Sequence, residues 1–270
     1  MKNTKEFSIA HKNFLKKIKK ENAFVTLFRF GILFLIIACW ELFAYLNIID
    51  SFITSSPSKI FITIVKLFKE SNLLYHLGIT LYETIVGFLI ASVLGYIIAL
   101  SLWWSERLRR VLEPYVVVLN SLPKIALGPI IIVWFGSGEK AIIFMAILIS
   151  IIVAIMTMLG GFLATDKNKI LLMQSMNASK LQIMVKLVIP SSLPTLFSML
   201  KISVGMAWIG SIMGEYLVSR AGLGYLIVYG GQVFKLDLVM ASTVVLCALA
   251  TIMYLIVALL EKKFIKRKFN

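Results

Sequence analysis

The chain has little of what most catalytic and metal sites are made from. Its 270 residues include two histidines, two cysteines and 13 acidic residues. His11 and His76 lie in polar flanks, and neither stands at the spacing of a metal site or a catalytic dyad. Cys39 and Cys247 fall inside apolar runs and read as small buried hydrophobes, which leaves no disulfide framework. The phosphate-cradling pattern Gly-x-x-x-x-Gly-Lys-Ser/Thr is missing as well, so the chain does not bind ATP in that way. No fixed-period repeat, low-complexity stretch or soluble catalytic domain is visible. A membrane-embedded enzyme would need clustered histidines or acids, so no catalytic residue, metal ligand or cofactor is assigned to this chain.

What the chain has in excess is apolar sequence. It is 60% hydrophobic and 15% charged, with a mean hydropathy of +0.92. A soluble domain would be nearer about half apolar and about a quarter charged, so the surplus points to a lipid bilayer. The net charge of +15 does not indicate nucleic acid. The basic residues flank apolar runs, which is how membrane proteins orient themselves.

A spanning helix needs about 20 mostly apolar residues. Six runs qualify, at 28–46, 77–104, 111–134, 141–163, 193–214 and 238–260. The fourth and sixth carry no charge. The third contains Glu113, Pro114, Pro123, Lys124 and Pro129 and is expected to be broken or kinked. The first is too long for a signal-peptide core, and no small-residue cleavage site follows it, so it reads as an uncleaved span. Continuous apolar runs without alternation exclude a membrane barrel.

Lysine and arginine set the orientation. Eight lie up to Arg29, three in 105–110, four in 164–192 and five from Glu261 onward. Only six lie in the alternate segments. Both termini and the 164–192 loop are therefore expected in the cytoplasm. The organisation is a basic tail (1–27), a transmembrane domain (28–263) and a short C-terminal tail (264–270). Residues 57–70 have helical apolar spacing and are expected along the outer interface. Ala221-Gly222-Leu223-Gly224 suits a tight turn in a re-entrant or surface element within 214–237.

The polar interval 166–194 is unusual, because it reads as folded. Residues 167–176 are helix formers, and Asn177 is suited to the left-handed conformation that ends a helix. Ser179 with Gln182 fits a capping box that starts a second helix, running to about Ile189. Pro190 and Pro194 then redirect the chain into the fifth span. Two readings stand for this loop: an interfacial hairpin lying on lipid, or a docking element for a cytoplasmic partner.

Residues 171–194 resemble the cytoplasmic loop of binding-protein-dependent ABC importer permeases. That loop has an acid-alanine-alanine triplet, a glycine six residues after the acid and a proline thirteen after the glycine. Asn177 and Pro190 fall at the glycine and the proline, and Leu171 stands in place of the acid. Further pieces resemble the nitrate, sulfonate and taurine type in order along the chain. They are Trp40-Glu41, Ser56-Pro57-Ser58-Lys59-Ile60, Gly87-Phe88, and Leu122 through Pro129. Trp134-Phe135-Gly136, Gly138-Glu139, Ala207-Trp208 and Gly222-Leu223-Gly224 follow. The likeness covers about 40–260 and leaves out the N-terminal tail.

The resemblance implies an all-α integral membrane fold of type I, with six transmembrane helices and a cytoplasmic coupling-helix loop. It implies a permease subunit in which two copies of the chain form the pore. Separate cytoplasmic ATP-binding subunits supply energy, and an extracytoplasmic solute-binding protein delivers a small anionic or polar solute (a sulfonate, taurine, nitrate or a pyrimidine). The coupling contact would centre on Met176, Asn177, Ala178, Ser179, Lys180 and Leu181, with Pro190 behind it. A secondary transporter or channel working without an ATPase is the alternative.

Charge inside a membrane is costly, by about 2.5–3.5 kcal/mol on insertion scales, and marks candidate pathway residues. Lys124, Trp208 and Glu215 are the candidates here. Lys124 either faces an anionic solute or pairs with Glu83 or Glu113. Trp208, with Gly205, Gly210 and Ser211 around it, serves either packing or gating. Glu215 either meets the binding protein at the outer end or is simply solvated. Lys201 is expected to snorkel from the fifth span.

Overall fold

The computed structural model describes residues 9–50, 54–70, 73–218 and 220–268, and none of them is in a strand. They divide into two compact units, residues 1–63 and 64–270.

The first unit is built on α1 (Ile9–Tyr45), 37 residues long. At about 1.5 Å per residue it exceeds the ~30 Å hydrocarbon core of a bilayer. The helix thus starts inside the basic tail and carries it into the first span. Side chains such as Phe30, Phe34 and Leu35 are exposed along it, as a helix facing lipid or another chain requires. The next helix, α2 (Pro57–Glu70), is amphipathic and has the bounds expected from its periodicity. Its Ser58 donates from the backbone amide and the hydroxyl to the two oxygens of Glu41, at 3.0 and 2.8 Å. Glu41 therefore finds a helix N-terminus as its partner.

The second unit is a helix bundle centred on three spans, α3 (Leu73–Trp104), α6 (Glu139–Leu163) and α10 (Leu193–Val218). Helix α6 packs most extensively, on both α3 and α10. Small residues bring the backbones together. A Cβ on Gly87 would stand 2.5 Å from the Ala146 Cβ, and one on Gly210 would stand 2.5 Å from the Ala146 Cα. Ala146 is thus held between glycines of α3 and α10. In lipid, where apolar surface gains little by leaving its solvent, such close contact is what binds helices. Gly205, expected to share this role, faces open space instead. Thr84 and Ser211 add a buried hydroxyl–hydroxyl bond of 2.6 Å between α3 and α10.

Between α3 and α6 the third span is broken. Helix α4 (Glu106–Ser121) ends before Pro123, and a 3₁₀ turn (Lys124–Leu127) leads into α5 (Gly128–Phe135); together the stretch Lys124–Phe135 is bent by 87° from α4. Pro123 has no amide to continue α4, and Pro129 suits the first turn of α5. Among the described residues, five helices are long and apolar enough to cross a membrane, six if the bent pair is one span.

Beyond α10 come α11 (Leu223–Gln232) and α12 (Leu236–Lys268). Lys201 in α10 forms an ion pair of 2.9 Å with Glu261 of α12, so its charge is met inside the bundle and not only by snorkelling. Cys247 is exposed on α12 and Cys39 half-buried on α1, so neither is the buried hydrophobe expected from its apolar surroundings.

Candidate functional site

The interval after α6 is folded as its capping residues demand. Helix α7 (Lys167–Ser175) is N-capped by Asp166, which accepts from the Asn168 amide at 2.8 Å. It ends at Asn177, whose φ is +59°. The Asn177 amide donates to the Gln174 carbonyl at 2.9 Å and the Ala178 amide to the Met173 carbonyl at 3.0 Å. This pair of bonds is a Schellman motif with asparagine at the left-handed position. The next helix, α8 (Lys180–Ile183), opens with a complete capping box. Gln182 N donates to Ser179 Oγ at 3.3 Å, and Ser179 N donates to Gln182 Oε1 at 2.8 Å.

The second helix differs from the expected α-helix to Ile189. After one turn it widens into a π-turn (Met184–Val188), followed by the short α9 (Ile189–Ser191). Pro190 therefore sits within helical backbone and does not itself turn the chain, which departs at Ser192. A proline ring crowds the carbonyl four residues before it, and a widened turn at that place makes room.

Burial divides the loop into a seat and a face. Ile183 and Val188 are fully enclosed, in one cluster with Leu102, Met158, Phe162 and Met199, and Ala178 packs against it. Leu171, Leu172, Met176, Leu181 and Val185 are all more than half exposed. Five large apolar side chains left exposed on one short, well-capped loop are more than single scattered surface hydrophobics and suit contact with a partner. Lys180 turns back to the bundle: its ammonium donates to the Trp104 carbonyl at the end of α3 and lies 5.2 Å from the Trp104 ring centroid.

The three residues expected in a pathway are not gathered. Lys124 is half-buried at the break in the third span and donates to the Asn120 carbonyl at 3.1 Å. It forms no ion pair with Glu83 or Glu113 among the described residues. Trp208 is buried between α3, α10 and α12 beside Phe88, Val204 and Val257. Glu215 is only 1% exposed, so it neither projects toward a binding protein nor is solvated. The sequence placed it at a helix end. The fold covers that end with the turn into α11.

That turn is a clamp at the end of the bundle opposite the capped loop. His76, Thr80 and Glu83 form one stripe on α3. Gly222 N donates to His76 Nδ1 at 3.0 Å, and Leu223 N to Thr80 Oγ1 at 2.8 Å. Gly224 N and Tyr225 N both donate to Glu215 Oε2, at 2.6 and 3.3 Å. The free amides of a helix start are thus satisfied entirely by side chains from other elements. Gly222 has φ +115°, and a Cβ on it would collide with the Glu215 carboxylate. A cavity of about 310 Å³, lined in part by Glu83, Glu139 and Arg220, adjoins the clamp. Sequence reasoning missed Glu83 as a site residue in its own right. The available signal was an acid in an otherwise uncharged span.

The fold agrees with that of known proteins. The family model described as binding-protein-dependent transport system inner membrane component matches residues 91–266. A probable ABC transporter permease protein of Haemophilus influenzae is 31% identical over 236 residues, covering 87% of this chain and 94% of that protein. A putative aliphatic sulfonates transport permease protein of Bacillus subtilis is 27% identical over 231 residues, 86% of this chain and 84% of that one. Among solved structures, a chain of the MetNI methionine ABC transporter in an inward-facing conformation superposes with a TM-score of 0.62 at 19% identity. That match covers 72% of this chain and 98% of that chain.

Proposed function

Since this chain belongs to the family of binding-protein-dependent transport system inner membrane components, we propose that residues 176–181 are where its permease domain engages a cytoplasmic ATP-binding subunit. The observation that carries this is the contrast within one loop: Ile183 and Val188 anchor it in the bundle while Met176 and Leu181 stay exposed. A rigid seat below an apolar face transmits force in both directions. Pro190 contributes by widening the turn that joins seat to span. Leu171, 60% exposed, replaces a carboxylate contact with an apolar one.

In this reading the loop and both termini are cytoplasmic, as the lysine and arginine bias favours. Two copies of the chain enclose the pathway, and an extracytoplasmic solute-binding protein loads it. The chain itself is non-catalytic and binds no cofactor. A small sulfonate or similar anion is the proposed solute, supported by the name of the Bacillus subtilis relative and by Lys124. That ammonium sits at a broken span, held by a backbone carbonyl, where freed backbone groups can line a cavity. Trp208 and Glu215 then act behind the pathway, in packing and in the clamp.

Reconstitution tests this reading. The chain, its ATPase and its binding protein in liposomes should take up the sulfonate only with ATP, and deleting residues 176–181 should abolish both ATPase binding and uptake. Uptake by the chain alone, without ATP, would overturn it in favour of a channel or secondary transporter.

A further inference from the structure

Glu83 and Glu215 are each 1% exposed, and their carboxyl groups lie within hydrogen-bonding reach of one another. Two ionised carboxylates in that position would repel across a low-dielectric interior. Neither forms an ion pair with a lysine or arginine among the described residues. One oxygen of each, Glu83 Oε2 and Glu215 Oε1, is buried without a hydrogen-bond partner. A buried acceptor left unsatisfied is costly, and more so when it is charged. One proton shared between the two carboxyl groups would answer both.

The geometry points to a proton-binding site in which Glu83 Oε2 carries one proton and donates it to Glu215 Oε1. The assignment of donor and acceptor follows from the neighbours. Glu215 Oε2 already accepts from the Gly224 and Tyr225 amides, and N–H donors favour the ionised form. Glu83 accepts from no backbone amide among the described residues, so the proton is better placed there. The pair then holds one negative charge, stabilised by the two amides on Glu215 Oε2. The donor set suits a proton better than a metal. Two carboxyls and the Thr80 hydroxyl fall short of the six to eight oxygens typical of calcium, and no group of three or more His, Cys, Asp or Glu is present among the described residues.

The charged and titratable groups around the pair are few. His76 on α3 accepts the Gly222 amide at Nδ1, so its own proton is on Nε2 and it is neutral. Glu139, at the start of α6, adds negative potential from the cavity side. Arg220 lines the same cavity but is exposed. Tyr216 and Tyr225 present phenols, the latter stacked on His76 at 6.1 Å. Glu139 opposes ionisation of the pair, and Arg220 is screened by solvent. The site therefore ties the turn into α11 to α3 through one proton. Losing that proton places two like charges where four amides of the turn are held.

Infrared spectroscopy of the full chain in lipid at neutral pH reads the proton directly. The wild type should show the carbonyl stretch of a protonated carboxylic acid, shifted on deuterium exchange. Glu83→Gln should abolish the band, because the glutamine amide donates to Glu215 in place of the acid. Glu215→Gln should abolish it too and serves if the first variant fails to fold. Arg220→Ala should leave the band in place. A wild type without the band, or a band that survives both glutamine variants, overturns the proposal.

Discussion

The Lys180 ammonium caps the last carbonyl region of α3 by donating to Trp104 O while lying 5.2 Å from the centroid of the same residue's ring. Positive charge at a helix C-terminus is favoured by the helix dipole, and the ring adds about 0.5–1 kcal/mol at an exposed site. The contact joins the first residue of α8 to a span 76 positions earlier. It ties α8 directly to the end of α3.

Replacing Lys180 with methionine keeps the stem and removes the charge. The folded chain should persist, because the ion-dipole and ring contacts total only about 1–2 kcal/mol. Uptake per ATP hydrolysed should fall while ATPase binding stays. Measuring both rates in liposomes checks this, and an unchanged ratio would remove the link.

Met176 and Leu181 are 74% and 56% exposed. Aspartate at either position places a charge on the apolar face without burying it in the bundle. The melting temperature should be unchanged, and affinity for the ATPase subunit should fall roughly tenfold, as for loss of a central apolar contact worth more than about 1 kcal/mol. Titration of the purified subunit against each variant gives the answer.

Asn177 stands at φ +59°. A left-handed conformation costs an ordinary residue about 1–2 kcal/mol, less for asparagine and nothing for glycine. Asn177→Ala should lower the melting temperature and speed amide exchange at Ala178, whereas Asn177→Gly should be neutral or stabilising. The reverse order would mean that the side chain, not the backbone, matters here.

Gly210→Leu would drive a side chain into the backbone of α6 at Ala146, where even a Cβ stands at 2.5 Å. Overpacking of this kind costs typically about 1–3 kcal/mol and separates helices. The variant should be recovered at reduced yield and melt at lower temperature. Gly205→Ala, facing open space, is the matched control and should behave as wild type.

Lys124→Ala removes the only lysine at the bend between α4 and α5. Assembly with the ATPase should be intact and the apparent affinity for the transported anion weaker. Uptake kinetics identical to wild type would place Lys124 outside the pathway.

Local physics made much of this molecule legible from residues alone. The Schellman end at Asn177, the Ser179–Gln182 box, the amphipathic 57–70 helix and the break at Pro123 each depend on neighbours within a few positions, so sequence determines them. The apolar runs likewise determine that the chain is a bundle of membrane helices. The clamp was not legible, because His76, Thr80 and Glu83 meet Gly222, Leu223 and Glu215 across more than 130 residues. Neither was the ion pair of Lys201 with Glu261, nor the return of Lys180 to Trp104. Nor was the π-turn at Met184–Val188, which makes room for Pro190 while Ile183 and Val188 stay buried in the bundle. A charge or amide is assigned its partner by whichever helices pack together, and only the tertiary structure, through close approaches such as Ala146 between Gly87 and Gly210, decided that.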